Sequence, residues 1–168
     1  KLMVFMTFAT ALVAAQADAL PTPSERFGDP GSGEVPSFRK HIVPLLGVRG
    51  CNGRECHGSF AGKGDFQLSL FGYDFDKDHR EIAQDEDEIR VDKSNPANSL
   101  LLLKPTMQEK HKGKLRFKKG SWEHQLILKW IENGAENDAK TTPAFDRLEV
   151  RPGSIEFTGR NQARQLQV

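Results

Sequence analysis

Apolar residues keep to one helical face most clearly in GSWEHQLILKWIENGA, residues 120–135. There Trp122, Leu126, Ile127, Trp130 and Ile131 recur at helical spacings. Ser121 is a favoured N-cap residue and Gly134 stands where a left-handed C-cap residue belongs, so the pattern predicts a closing amphipathic helix. A shorter helix is predicted in VPSFRKHIVPLLGVRG, residues 35–50. Ser37 is its cap, Phe38, Ile42 and Leu45 or Leu46 form its face, and Pro44 limits or kinks it. Between them, Phe66, Leu68 and Leu70 alternate over a stretch that reads as a brief strand or an extended loop. SNPANSLLLLKPT reads as a capped turn or short helix ended by Pro105.

The period changes near the carboxyl end. Leu148 and Val150, Ile155 and Phe157, and Leu166 and Val168 alternate with polar residues, which is strand periodicity. Three such strands cannot make a stable sheet alone, so they are expected to begin a β-domain or to pair with something else. Two Pro-, Gly- and polar-rich stretches, 20–35 and 137–145, read as linkers.

At the amino end, LMVFMTFATALVAA is an uncharged run followed by small residues, with cleavage options after Ala17 or Ala19. Residues 1–19 thus read as a secretory signal and predict a periplasmic or otherwise extracytoplasmic location. An uncleaved run, attaching the protein to a membrane through residues 2–15, is the alternative. The run is shorter than the roughly 20 residues a spanning helix needs.

Formal net charge is only +1 over 168 residues, which argues against a dedicated nucleic-acid binder. The charge is unevenly spread. Residues 74–88 hold eight acids against two strong bases, and residues 104–119 hold seven bases against one acid. Solvated faces account for both, with a docking role as the sharper reading. No nucleophile–base pair, phosphate-binding loop or paired carboxylate site is evident, so no catalytic residue is assigned.

Both cysteines lie in GCNGRECHGS, residues 50–59, with His57 directly after Cys56. A Cys51–Cys56 disulfide suits an oxidising compartment but leaves His57 without a task. Zinc needs further ligands at suitable spacing, and there is no second cysteine pair. A catalytic dithiol usually has two residues between its cysteines, in a βαβ setting. Covalent haem attachment uses every element: two thiols for two vinyl groups, and an adjacent imidazole for the iron. Its common motif is C-x-x-C-H, and this one is two residues longer. Gly53 would ease the bulge that the longer loop requires.

Several segments in order resemble the cytochrome c domain widespread in planctomycetes and related bacteria, found in large exported proteins. They are GCNGRECHG (50–58), GKGDFQLSLFGYD (62–74), NPANSLLLLKPT (95–106), HKGKLRF (111–117) and SWEHQLILKWIENGA (121–135). The resemblance covers residues 36–136. It implies a mainly α, cytochrome c-like haem domain, with residues 146–168 adding a few short β-strands that resemble the start of a bacterial immunoglobulin-like domain.

The resemblance implies one haem c, joined covalently through Cys51 and Cys56, with His57 as proximal iron ligand. Small cytochromes present the distal ligand from the loop before the closing helix. His111, followed by Gly113, Lys114 and Arg116, matches the family's segment in part and is favoured over Met107. His41, His79 and His124 read as surface residues. Trp130 is expected in the core, and contact with the cofactor is compatible with that. A closed sixth position favours an electron carrier over a catalyst, serving a redox partner protein or membrane complex. The alternatives are a haem enzyme or gas sensor with a displaceable sixth ligand, and a non-haem adhesion or scaffold segment held by a Cys51–Cys56 disulfide.

Overall fold

The computed structural model describes residues 21–84, 90–143 and 150–166. The chain is 34% helical with 1% strand, so the class is mainly α. Its helices are short: α1 (Pro23–Phe27), α2 (Val43–Val48), α3 (Phe75–Ala83), α4 (Leu100–Leu103) and α5 (Trp122–Glu132). A π-helical turn, Phe38–Ile42, runs straight into α2, and single 3₁₀ turns cover Leu70–Gly72 and Pro96–Asn98.

The closing helix forms where the apolar stripe predicts it. Ser121 has the extended backbone of an N-cap, and Leu126, Ile127, Trp130 and Ile131 are buried together. Gly134 (φ +96°) turns the chain, and the amides of Gly134 and Ala135 donate to the carbonyls of Ile131 and Trp130. Such a left-handed turn satisfies carbonyls that a helix end leaves open. The opening segment packs on α5. Phe38 lies 5.5 Å from Trp130 in a stacked pair, and Ile42, Leu45 and Leu46 join the same core. Burying each such side chain contributes about 1.5–3 kcal/mol.

The expected carboxyl-terminal strands do not form. Among the described residues beyond 149, Arg151 sits in an isolated bridge and the rest is turn or irregular chain. Val150, Phe157 and Leu166 are exposed, and Leu148 and Val168 lie outside the described residues. Alternation makes a strand only where a neighbouring strand supplies a hydrogen-bonded ladder and a face to cover, and no such ladder forms among the described residues. The alternating stretch at 66–69 is likewise extended without a ladder: Leu68 is buried and its amide donates to the His57 carbonyl.

Both stretches read as linkers contribute to the folded unit. α1 starts at Thr22, whose amide and hydroxyl both donate to the Glu25 carboxylate, and it buries Phe27 against the edge of His41. On the other side, the Arg39 amide donates to Asp138 and its guanidinium to the carbonyls of Ala139 and Thr142. Among the described residues no helix is long and apolar enough to cross a membrane. The apolar run at 2–15 lies outside them.

Candidate functional site

Residues 50–58 fold as a chain of tight turns. The His57 amide donates to the Cys51 carbonyl (2.9 Å), while the amides of Cys56 and Gly58 both donate to the Gly53 carbonyl. The five-residue step from Cys51 to Cys56 is thereby folded back on itself, with Arg54 and Glu55 facing solvent. Gly58 is required by space: a Cβ there would sit 2.0 Å from the Asn52 carbonyl oxygen. Cys51 and Cys56 are both free thiols. Burial pushes the Cys51 thiol up to about 11, with Arg116 opposing the rise.

Both cysteines and His57 line a cavity of about 990 Å³, closed on the far side by the loop between α4 and α5. That loop is pinned by the Arg116 amide, which donates to the Pro105 carbonyl (2.8 Å), and by the amides of Gln108 and Glu109 on the Leu103 carbonyl. Arg116 also reaches across to the opposite wall, where its guanidinium donates to the Arg49 carbonyl (3.3 Å) and to Cys56 Sγ (3.4 Å).

The loop delivers His111 to the cavity. His111 and His57 have ring centroids 6.4 Å apart and planes within 7° of parallel. Each ring is held through Nδ1. His57 Nδ1 is 3.2 Å from the Phe66 carbonyl, and His111 Nδ1 is 3.0 Å from the Lys114 carbonyl. A carbonyl only accepts, so Nδ1 is the donor in both neutral rings and the lone pair is on Nε2. Burial lowers the pKa of His57, which favours the neutral ring; the hydrogen bond to Phe66 works in the opposite direction.

The cavity is apolar at its base and cationic around its walls. Leu46, Phe66, Leu101, Phe117 and Ile127 supply the apolar surface. Among the described lining residues, Lys63, Arg90, Lys104, Lys110, Lys112, Lys114 and Arg116 are cationic and Glu55 is the carboxylate. Such a lining suits a large, mostly apolar ligand that carries negative charge at an edge.

The other candidates sit elsewhere. Met107 is half exposed, with φ +60°, and does not line the cavity. Trp130 is buried in the core, where its indole N–H donates to the Glu136 carbonyl (3.1 Å), and it too is absent from the lining. The three histidines read as surface residues are instead largely buried. His79 bonds the Ala135 carbonyl at 2.7 Å, and the amide of Ser37 donates to His41 Nδ1 at 2.8 Å. His124 is buried on α5. His41 and His79 are thus turned inward onto backbone partners, which a count of neighbouring charges does not reveal. Arg90 is one of the cavity residues the sequence did not flag. Its signal is slight: a lone arginine at the end of an acidic run.

Among the described residues no three histidine, cysteine, aspartate or glutamate side chains converge as ligands for a bare metal ion. The two imidazoles suit a metal that arrives with its own equatorial ligands. Taking about 2.0 Å for a metal–imidazole bond and about 1.1 Å from nitrogen to ring centre, two rings on opposite sides of one metal would have centroids about 6.2 Å apart. The observed centroid separation is 6.4 Å, with the ring planes 7° from parallel.

Compared with protein-family models, with curated proteins and with solved structures, the chain finds no match.

Proposed function

We propose that this protein is a c-type haem module that passes single electrons to and from a redox partner outside the cytoplasm. One observation carries the reading: His57 and His111 meet across the cavity as parallel rings 6.4 Å apart, and both cysteines of the chain stand on its wall.

His57 and His111 would hold the iron through Nε2, each steadied by a carbonyl on Nδ1. Such outer partners fix the tautomer and raise the basicity of the ligating nitrogen. Cys51 and Cys56 would carry the covalent attachment, and the lysines and arginines of the rim would neutralise the carboxylates of the group. The apolar base excludes water from its faces. When bound, haem supplies reversible one-electron chemistry. With His57 and His111 both holding the iron, the site would favour electron transfer over binding of small molecules, at a lower potential than a methionine ligand would give.

The test is an intact mass and an absorption spectrum after expression with a working cytochrome-maturation system. The expected result is one added haem mass and a six-coordinate low-spin spectrum without a sulfur-to-iron charge-transfer band. A colourless protein of unmodified mass overturns the reading.

A further inference from the structure

We propose that Arg90 is a positioning residue for the His57 imidazole, acting through Asp65 and Phe66, so that it sets the plane of that ring and tunes the potential of a haem bound there. The proposal rests on the haem reading above for its redox consequence, but not for the positioning itself.

Arg90 is buried, at 4% exposure, on the cavity wall. Its guanidinium fork joins two separate pieces of chain. Nη2 donates to the Asp65 carbonyl (2.7 Å) and Nη1 to the Glu81 carbonyl on α3 (3.1 Å). Its own carbonyl accepts from the Leu101 amide on α4 (3.0 Å), which anchors it from a third direction. The same guanidinium lies 4.7 Å over the centre of the Phe66 ring.

Phe66 is the residue that holds His57. Its carbonyl accepts from His57 Nδ1 (3.2 Å), and its ring packs 4.6 Å from the imidazole at 48°. Arg90 therefore grips the peptide on one side of Phe66 and the ring on the other. Lysine has neither the planar fork nor the stacking face, so it cannot do both.

A simpler role is available to Arg90: as a cavity cation it could only balance the charge of the ligand. Arg90→Lys separates the two, because it keeps the charge and loses the fork. Three readouts apply to the full chain. Nitrogen-15 NMR of the unloaded protein reports the His57 tautomer. Electron paramagnetic resonance of the ferric loaded protein reports the mutual orientation of the axial rings. A redox titration reports the potential.

Positioning predicts that the wild type holds His57 as the Nδ1–H tautomer, and that Arg90→Lys gives a mixture of tautomers. It also predicts an altered ferric resonance spectrum and a raised potential. The rise follows because losing the Nδ1–H hydrogen bond makes the imidazole a weaker donor to the oxidised iron. A folded Arg90→Lys protein with wild-type tautomer, resonance and potential overturns the proposal. If that variant does not fold, Phe66→Leu decides: removing the ring platform must change the ferric resonance spectrum, and an unchanged one overturns the proposal. If the wild type takes up no haem, the haem reading fails, and the tautomer comparison still tests Arg90.

Discussion

The His111 imidazole lies directly against Gly113. A Cβ at residue 113 would come within 2.6 Å of Cε1 and 2.9 Å of Nε2. The four residues His111–Lys114 form a turn closed twice, by the Lys114 amide on the His111 carbonyl and by the His111 ring on the Lys114 carbonyl. The ring can reach the cavity because nothing projects from residue 113. Gly113→Ala should push the imidazole aside. In the loaded protein the expected outcome is a partly high-spin spectrum that shifts on adding carbon monoxide, whereas Met107→Ala leaves the spectrum unchanged. Loss of stability should stay within about 1 kcal/mol, since the loop is on the surface.

Cys51 should be the reluctant thiol of the unloaded protein. Burial holds its pKa near 11, and only the thiolate is an effective nucleophile. Alkylation at Cys51, followed by peptide mass spectrometry, is expected to be slow near neutral pH and to accelerate as pH rises or as denaturant opens the fold.

Acid should weaken the fold before the carboxylates titrate. The amide of Ser37 donates to His41 Nδ1, so a proton there would break the bond. Burial, and then Arg26, lower the His41 pKa below 6.5, and burial, and then Lys119, do the same for His124. A depressed folded pKa means the unfolded chain takes up protons first. Stability is therefore complete above about pH 6.5 and is lost as pH falls below it. The melting temperature should drop between about pH 7 and 5, and His41→Gln should flatten that slope.

Trp130 carries the packing between the opening segment and α5, stacked on Phe38 and edge-on to His79 at 6.1 Å. Trp130→Ala should cost about 3–5 kcal/mol in urea unfolding.

Lysines and arginines predominate among the described residues that line the cavity. Electron transfer with an acidic partner should slow as salt rises, because attraction over distances beyond about 10 Å is screened. A rate that stays flat across ionic strength counts against steering.

How much of this was legible depends on which residues do the packing. α5 was readable because its buried face is leucine, isoleucine and tryptophan at helical spacing. Cys51, Cys56, His57 and His111 stood out by residue type and spacing, and the fold places them on one cavity. α3 was not, since it is hidden in the acidic run and buries polar side chains: Asp78, which accepts from the Ser69 amide and hydroxyl, and His79. Their burial depends on hydrogen bonds with residues distant in sequence, so the local pattern is silent. α1 did leave a sign, the Thr22-x-x-Glu25 capping spacing before Phe27. The tail misled for the opposite reason: its alternation is real, but among the described residues it builds no sheet.

The buried Phe27 has a practical corollary for anyone subcloning the domain. A fragment cut to the apolar pattern, 36–136, would discard that plug from beside His41 and also the Asp138–Thr142 clasp on Arg39. A fragment meant to keep these contacts therefore runs from before Thr22 to beyond Thr142. Shorter versions would expose core surface at both ends and tend to clump.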